Sequence, residues 1–431
     1  MKPGLREIFA PGVKLLASQT AKDTFLVMIA NATNGFTGLA LGMLIARHLT
    51  VAGFGTFSSL MNLTLILVAI VDLGMAQGVV NFVSSFAARK KDQKIQKYLS
   101  NMICVVLSLG VIVTILLQLT PGRLIFKLAG TSNRLYLLLA GLAVITFSLY
   151  PFFLGVFQTF RKFLARTVIE LTFDASRIVF LGLLILTTLT IDKAFLAYVL
   201  GALVGFIVIW RFWPTVKVKL GFSLKTFKDI FQFTRWLWLV NMIINVYGKI
   251  DVLILTALTS SLIVGQYAAA ARLALVFPMA ANALNAVVSP RFASFGDKQS
   301  ATKYIKKTFI LTLGVTFALA AFFLIAKPLI LTIYGSRYLE SVSLFKGLVL
   351  ANIPFLLALP ATNCLVYFSK KPSLITGVSF LQLIVMVVIT WILMPSLKAF
   401  APIYGFFAAN ILGLTLIYLL LFKFHFQKER Q

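Results

Sequence analysis

TFLVMIANATNGFTGLALGMLIARHLTVAGFGTFSSLMNLTLILVAIVDLGMAQGVVNFVSSF, residues Thr24–Phe86, decides how the chain is read. From Thr24 to Ala46 it is a long apolar run rich in small residues. Arg47 and His48 close that run, and Thr50-Val-Ala-Gly-Phe-Gly55 turns. A second apolar run begins near Phe57 and carries Asp72 at or near membrane depth, followed at once by Leu73 and Gly74. A helix needs roughly 20 mostly apolar residues to cross ~30 Å of hydrocarbon. The stretch therefore predicts two membrane-spanning helices folded back on each other.

A weaker copy of this hairpin follows about 210 residues later, from Trp236 to Phe292, as expected of a transporter built from an internal repeat. ILTALTSSLIVGQY (Ile254–Tyr267) can be laid on LIARHLTVAGFGTF (Leu44–Phe57). Leu258-Thr259 then falls on Leu49-Thr50, and Gly265-Gln-Tyr267 on Gly55-Thr-Phe57, with one residue of slip.

The rest of the chain agrees with a membrane protein. Of 431 residues 60% are hydrophobic and 12% are charged, with a mean hydropathy of +0.96. Soluble chains carry about 25% charged residues. Twelve apolar runs are long enough to span, near 24–46, 55–82, 99–119, 134–158, 167–189, 194–213, 232–257, 262–289, 307–326, 343–367, 373–394 and 402–422. The fold class expected is all-α: a polytopic membrane protein of about twelve helices in two pseudo-symmetric six-helix bundles. The bundles are residues 1–213 and 231–431, joined by a basic, proline-started linker at 214–230.

A net charge of +28 would suggest nucleic acid in a soluble protein. Here the basic residues sit in alternate loops instead. One set, which includes both termini and the 83–98 and 290–307 loops, holds twenty-eight of the forty Lys and Arg, and the other set holds nine. By the positive-inside rule both termini lie in the cytoplasm. Anionic lipid would attract the basic loops, so membrane lipids are expected partners and nucleic acid is not. The first ~22 residues are too polar for a cleavable signal peptide, and the first span is expected to direct insertion. Cys104 and Cys364 fall inside apolar runs and read as buried small hydrophobes rather than a disulfide.

No loop exceeds ~25 residues, which leaves no room for a soluble catalytic or nucleotide-binding domain. There is no phosphate-cradling GxxxxGK[ST] loop, and His48 and His425 are the only histidines, so no metal site and no cofactor are expected. Transport would be driven by an ion or substrate gradient.

Ionisable groups at membrane depth cost several kcal/mol unless they face water or a partner, so they are the candidate site. Glu170, Asp174 and Arg177 share one face of the fifth run. They either line a cavity or lock packing through an Asp174–Arg177 pair. Lys249 and Asp251 are two apart and point to different sides of a helix. Arg272 follows a small-residue run, Ala268–Ala271, that permits close helix approach. On one reading Arg177, Lys249 and Arg272, with Asn34 and Asn245, form a cationic substrate cavity suited to a pyrophosphate or acidic sugar. On the other, Asp174, Asp251 and Glu170 neutralise the three bases. Asp72 either couples an ion or caps a helix break at Gly74. Asn31, Asn62 and Asn241 either glue helices or line a cavity. Pro151, Pro278, Pro354 and Pro360 lie mid-span as candidate bending points.

Ala46-Arg47, Leu49, Phe54-Gly55, Phe57 and Asp72-Leu-Gly74 in the first half resemble the polysaccharide-transport, O-antigen type family of lipid-linked oligosaccharide flippases. Lys249-Ile-Asp251, Gly265-Gln-Tyr267, Arg272 and Pro290 carry the resemblance in the second half. That family belongs to the multidrug/oligosaccharidyl-lipid/polysaccharide exporter superfamily. The resemblance implies a V-shaped pair of bundles around a cationic cavity. It implies flipping of an undecaprenyl-pyrophosphate-linked sugar repeat by alternating access in the cytoplasmic membrane of a bacterium or archaeon, with polysaccharide assembly proteins as partners. Relatives that flip the peptidoglycan precursor have two additional spans, absent from the twelve runs counted, which argues against that substrate. An ion-coupled drug exporter is the alternative in the same superfamily, and it would want a net acidic cavity. A membrane polymerase or ligase, the enzyme alternative, would need a reactive site on a substantial outer loop.

Overall fold

A computed structural model of the chain describes residues 19–214, 218 and 221–426. The first basic residues of the N-terminal segment, part of the 214–230 linker and the end of the C-terminal tail lie outside the described residues. The regular structure of the described residues is helical, with no strand among them. The helices used below are α1 (Gln19–His48), α2 (Val51–Val71), α3 (Asp92–Leu119), α4 (Gly122–Ala129), α5 (Arg134–Thr159), α6 (Phe163–Ile185) and α7 (Ile191–Phe212). They continue with α8 (Leu224–Tyr247), α9 (Ile250–Leu258), α10 (Ser261–Ala274), α11 (Val276–Ser294), α12 (Lys298–Ala320) and α13 (Ala326–Tyr334). The last are α14 (Ser341–Leu357), α15 (Pro372–Leu397) and α16 (Ala401–Leu421).

Without water in hydrocarbon every backbone amide must be satisfied within its own segment, which is why apolar runs of this length fold as helices. Among the described residues nine stretches are long and apolar enough to cross a membrane, or ten if the bent pair α8 and α9 counts as one span. One of the nine, Pro372–Phe424, contains both α15 and α16. The fifth run of the sequence is α6, whose charged face keeps it out of a purely apolar count. Counting the bent pair, separating α15 from α16 and including α6 gives twelve helical stretches that correspond to the twelve apolar runs of the sequence. Side chains such as Trp210 and Phe317 are more than 80% exposed on these helices, as lipid-facing groups would be.

The spans are less continuous than their hydropathy suggests. The second run breaks after Asp72, where Leu73 and Gly74 adopt left-handed φ of 45° and 73°. It resumes as a short helix that passes through a π-helical turn at Val79–Val83. The seventh run bends by 49° between α8 and α9, at Gly248-Lys249. The eighth run divides at Leu275 into α10 and α11. Pro151 and Pro354, by contrast, lie inside single continuous helices.

By contacts the chain forms two compact units. The first comprises residues up to Leu41, Leu67–Gln118 and Leu135–Trp238. Its core packs Met75, Val79, Leu99, Met102, Phe152 and Ile230, all fully buried, and α6 packs along α7. The second unit comprises Gly42–Ile66, Leu119–Arg134 and Leu239 onward. Within it α15 packs along α16, α14 lies against α10 and α16, and the short α4 lies against α9. A smaller core gathers Phe292, Ala361, Cys364 and Leu365. Neither Cys104 nor Cys364 is in a disulfide; Cys364 is buried and Cys104 is partly exposed.

Candidate functional site

In the first unit the charges of α6 form a closed set. Arg166, Glu170, Asp174 and Arg177 recur at helical spacing on one face. The Arg166 Nε donates to Glu170 Oε1 at 2.8 Å and its Nη1 to Gln158 Oε1 at 2.6 Å. Arg177 Nη2 donates to Asp174 Oδ1, which also accepts from Asn34 Nδ2 at 3.3 Å. The Arg177 guanidinium stacks over Phe173, 4.2 Å from the ring centroid, and lies 5.6 Å from that of Tyr198. A methyl group on Gly201 would overlap the Arg177 side chain. Each base here therefore has its own acid, and the sequence missed Arg166 as the partner of Glu170 although the two are four residues apart.

This arrangement makes a stability prediction. A buried charge stripped of its partner costs about 3–5 kcal/mol. Asp174→Ala should therefore lower the unfolding temperature of detergent-purified protein sharply, and Asp174→Leu with Arg177→Met should recover most of the loss. A single variant as stable as the double would contradict the pairing.

Asp72 sits at the break after α2. Its carboxylate accepts from the backbone N–H of Gly74 at 3.2 Å and of Ala76 at 3.3 Å, so it supplies acceptors to the amides that the break leaves open.

The second unit contains a cavity of about 380 Å³. Its walls are mostly apolar and aromatic, with Phe54, Phe57, Tyr247 and Phe406 among them, and the charged lining residues among those described are Asp251 and Arg272. Asp251 opens α9 just past the 49° bend. Its carboxylate accepts from the Tyr267 hydroxyl at 2.6 Å and from the Val252 N–H at 2.8 Å. Lys249 does not line the cavity: its Nζ donates to Asn245 Oδ1 at 3.1 Å, and Asn245 Nδ2 in turn donates to the Asn241 carbonyl at 2.9 Å. Asn62 lines the cavity from α2.

Arg272 differs from the other intramembrane bases. The ion pairs Arg166–Glu170 and Arg177–Asp174 do not involve it, and no carboxylate among the described residues forms an ion pair with it. Its guanidinium packs against α1 at Gly42, where even a methyl group would overlap it. The sequence singled out Arg272 but gave no sign of Gly42, because only the fold brings the two together. The expected cavity set is thus divided. Arg272 and Asp251 line the cavity, and Lys249 with Asn245 sits beside the same bend. Arg177, Asn34, Asp174 and Glu170 belong to the cluster of the first unit.

The helices flanking the cavity meet in a reciprocal way. A methyl on Gly55 would fall on the Ser261 carbonyl, and one on Gly265 would fall on the Val51 carbonyl. Both pairs have the same offset (265 − 55 and 261 − 51 are both 210), so corresponding residues of the two repeats touch each other, as across a two-fold axis. Cavity lining follows the same offset: Phe57 and Tyr267, Met61 and Ala271, Asn62 and Arg272, Leu65 and Leu275 all contribute. Beside the crossing Ser59 and Thr256 share a hydrogen bond of 2.6 Å. The Tyr338 hydroxyl donates to the Ala46 carbonyl at 2.9 Å.

Known proteins agree with this architecture. A solved structure described as the lipid II flippase MurJ in an inward closed conformation superposes with a TM-score of 0.77 at 15% identity, covering 92% of this chain and 87% of that one. An inward-facing multidrug resistance MATE family transporter of the MOP superfamily gives a TM-score of 0.71 at 14% identity, covering 90% and 93%. At these identities the likeness is one of fold. No curated protein sequence matches the chain. A sequence model of the family described as polysaccharide biosynthesis protein matches residues 20–296, well over half of the chain. The protein is therefore a multi-pass membrane protein with the fold of the MOP-type flippases and transporters, and it belongs to the polysaccharide biosynthesis protein family.

Proposed function

We propose that the protein is a flippase, not an enzyme, that moves polyprenyl-pyrophosphate-linked oligosaccharide repeat units across the cytoplasmic membrane for polysaccharide or O-antigen biosynthesis. The observation that carries this reading is Arg272, a guanidinium in a mostly apolar cavity that forms no ion pair with Asp251, the other charged lining residue, or with any other carboxylate among the described residues. A planar fork of five donors suits a diphosphate, which offers paired anionic oxygens. The apolar walls beside it suit the first isoprene units and the face of a sugar ring. The family description supports a role in polysaccharide assembly, and a lipid-linked substrate accords with the flippase among the structural neighbours.

In this reading the bundles 1–213 and 231–431 alternate access about the basic linker 214–230, and both termini are cytoplasmic, as the loop charges argue. Asp251 is the acid placed to balance charge or carry a coupling ion. Asp72, Glu170 and Asp174 keep their structural bonds. The second reading, an ion-coupled drug exporter, draws on the MATE likeness and the aromatic lining, but its cavity would want an acid unopposed by Arg272.

The test is the leaflet location of lipid-linked repeat units in cells that lack the protein. Complete units should accumulate on the cytoplasmic leaflet, and the wild-type chain should clear them. Units that reach the outer leaflet and stay unpolymerised would overturn the reading in favour of an enzyme. An unchanged distribution with altered drug tolerance would overturn it in favour of the exporter.

A further inference from the structure

A second cavity, of about 480 Å³, opens in the second unit at the end that the loop charges assign to the outside. It shares no lining residue with the cavity of Asp251 and Arg272. One side is the end of α15, where Trp391, Met394, Pro395 and Lys398 recur at steps of three, one and three and so share a face. The other is the turn from α9 to α10, which brings Thr259 and Ser260. Trp391 is 60% exposed, an indole placed where a membrane meets water. Ser260 makes no capping bond to α10, and Pro395 has no N–H to give the Trp391 carbonyl four residues before it. The groove thus combines an apolar wall with a hydroxyl, a carbonyl that lacks its helical donor, and one ammonium.

Topology does not account for Lys398. Its backbone lies at φ 44° and ψ −114°, close to the first central residue of a type II′ turn, which glycine takes freely and a residue with a Cβ does not. Such strain persists where the side chain has another use. Lys90, Arg161 and Lys370 also have positive φ, but they lie in the basic loop set, where the positive-inside bias explains a base. Lys398 is the only base of 395–401, a segment of the sparse set. No acid lines the groove, and no carboxylate among the described residues forms an ion pair with Lys398.

We propose that this groove is a phospholipid site on the outer face, separate from the transport cavity, and that it holds the monoanionic phosphodiester of a hydroxyl-bearing headgroup such as phosphatidylglycerol. One cation matches one phosphodiester charge. The Ser260 hydroxyl is available to donate to a phosphate oxygen and the Trp391 carbonyl to accept from a headgroup hydroxyl, while Trp391 and Met394 cover the start of an acyl chain. Free phosphate would leave the apolar wall uncovered. A choline headgroup would bring a second cation towards Lys398 and no donor for the carbonyl. The site does not depend on what the protein carries across the membrane.

The test is native mass spectrometry of the purified full chain in neutral detergent with dioleoyl phosphatidylglycerol, beside thermal unfolding. Wild type should retain one more of these lipids than Lys398→Gln, bound about tenfold more tightly, the low end of what hydrogen bonds to a charged group provide. The basic loops are the same in both chains, so the difference reports Lys398 alone. Lys398→Gly should lose the same lipid yet unfold no earlier than lipid-free wild type, because glycine relieves the strained backbone. Equal retention by wild type and Lys398→Gln would overturn the proposal, as would a Lys398-dependent lipid that dioleoyl phosphatidylcholine replaces with equal affinity. Inorganic phosphate that displaces the extra lipid at comparable concentration would make this a free-anion site and overturn the lipid assignment.

Discussion

Replacing Arg272 by alanine should weaken binding of a polyprenyl diphosphate by roughly 10- to 150-fold, the range that corresponds to about 1.5–3 kcal/mol for hydrogen bonds to a charged group. The protein should remain folded, because the guanidinium is half-buried against Gly42 and holds no other described element in place through an ion pair. Arg272→Lys keeps the charge but loses the planar fork, so it should recover only part of the affinity. A second route to the same loss starts from the other helix. Gly42→Ala directs a methyl at the guanidinium, which is the flexible end of a long side chain and can move away. Stability should therefore be kept while affinity falls. Isothermal titration with farnesyl diphosphate, run beside thermal unfolding, separates the two effects. Equal affinity of wild type and Arg272→Ala would remove Arg272 from the binding surface.

The crossing of α2 and α10 should respond in the opposite way. At Gly55 and Gly265 a new methyl meets backbone carbonyls, those of Ser261 and Val51, and a backbone has no rotamer with which to yield. Small residues of this kind allow helices in membranes to pack closely, since lipid provides no hydrophobic drive for them to associate. Gly55→Ala or Gly265→Ala must push the helices apart. That separation strains the Ser59–Thr256 bond and the Tyr338 contact with Ala46. Overpacking typically costs 1–3 kcal/mol, and the absence of any adjustable neighbour places these two sites at about the upper end. Because both methyl groups open the same crossing, the double variant should be only slightly less stable than either single one. Thermal unfolding in detergent reads this directly. Additive losses would mean that the two glycines act at separate contacts.

Much of the fold is legible in the sequence because a membrane imposes it. Runs of apolar residues must become helices, and alternating basic loops follow from the same constraint. The breaks are less legible. Proline signals some of them, since Pro278 and Pro360 follow the breaks at Leu275 and Ala358, but Pro151 and Pro354 sit inside helices, and the 49° bend at Gly248-Lys249 and the break after Asp72 have no proline beside them. Asp72-Leu-Gly carries a detectable signal, a carboxylate that can accept from the amides freed beyond it.

The site shows the same division. Arg177 and Arg272 look alike as bases at membrane depth, yet one is paired and the other is not. Local spacing could have separated them. Arg177 has Asp174 one helical turn away, whereas the positions three and four residues from Arg272 are Ala268, Ala269, Leu275 and Val276. The packing of Arg272 on Gly42 and the reciprocal glycines depend on contacts between distant segments. The 210-residue repeat, seen only as a degenerate match, was their one trace in the sequence.

The central claim, that this chain moves a lipid-linked diphosphate sugar through a cavity whose cation is Arg272, is tested most directly by reconstitution. Purified protein in vesicles carrying a fluorescent polyprenyl-diphosphate saccharide should expose inner-leaflet lipid to a membrane-impermeant quencher. Wild type should quench nearly all of the fluorescence, while Arg272→Ala should leave about half protected, as protein-free vesicles do. Wild-type vesicles that protect as much lipid as protein-free ones, or an Arg272→Ala protein that flips at the wild-type rate, would contradict the account.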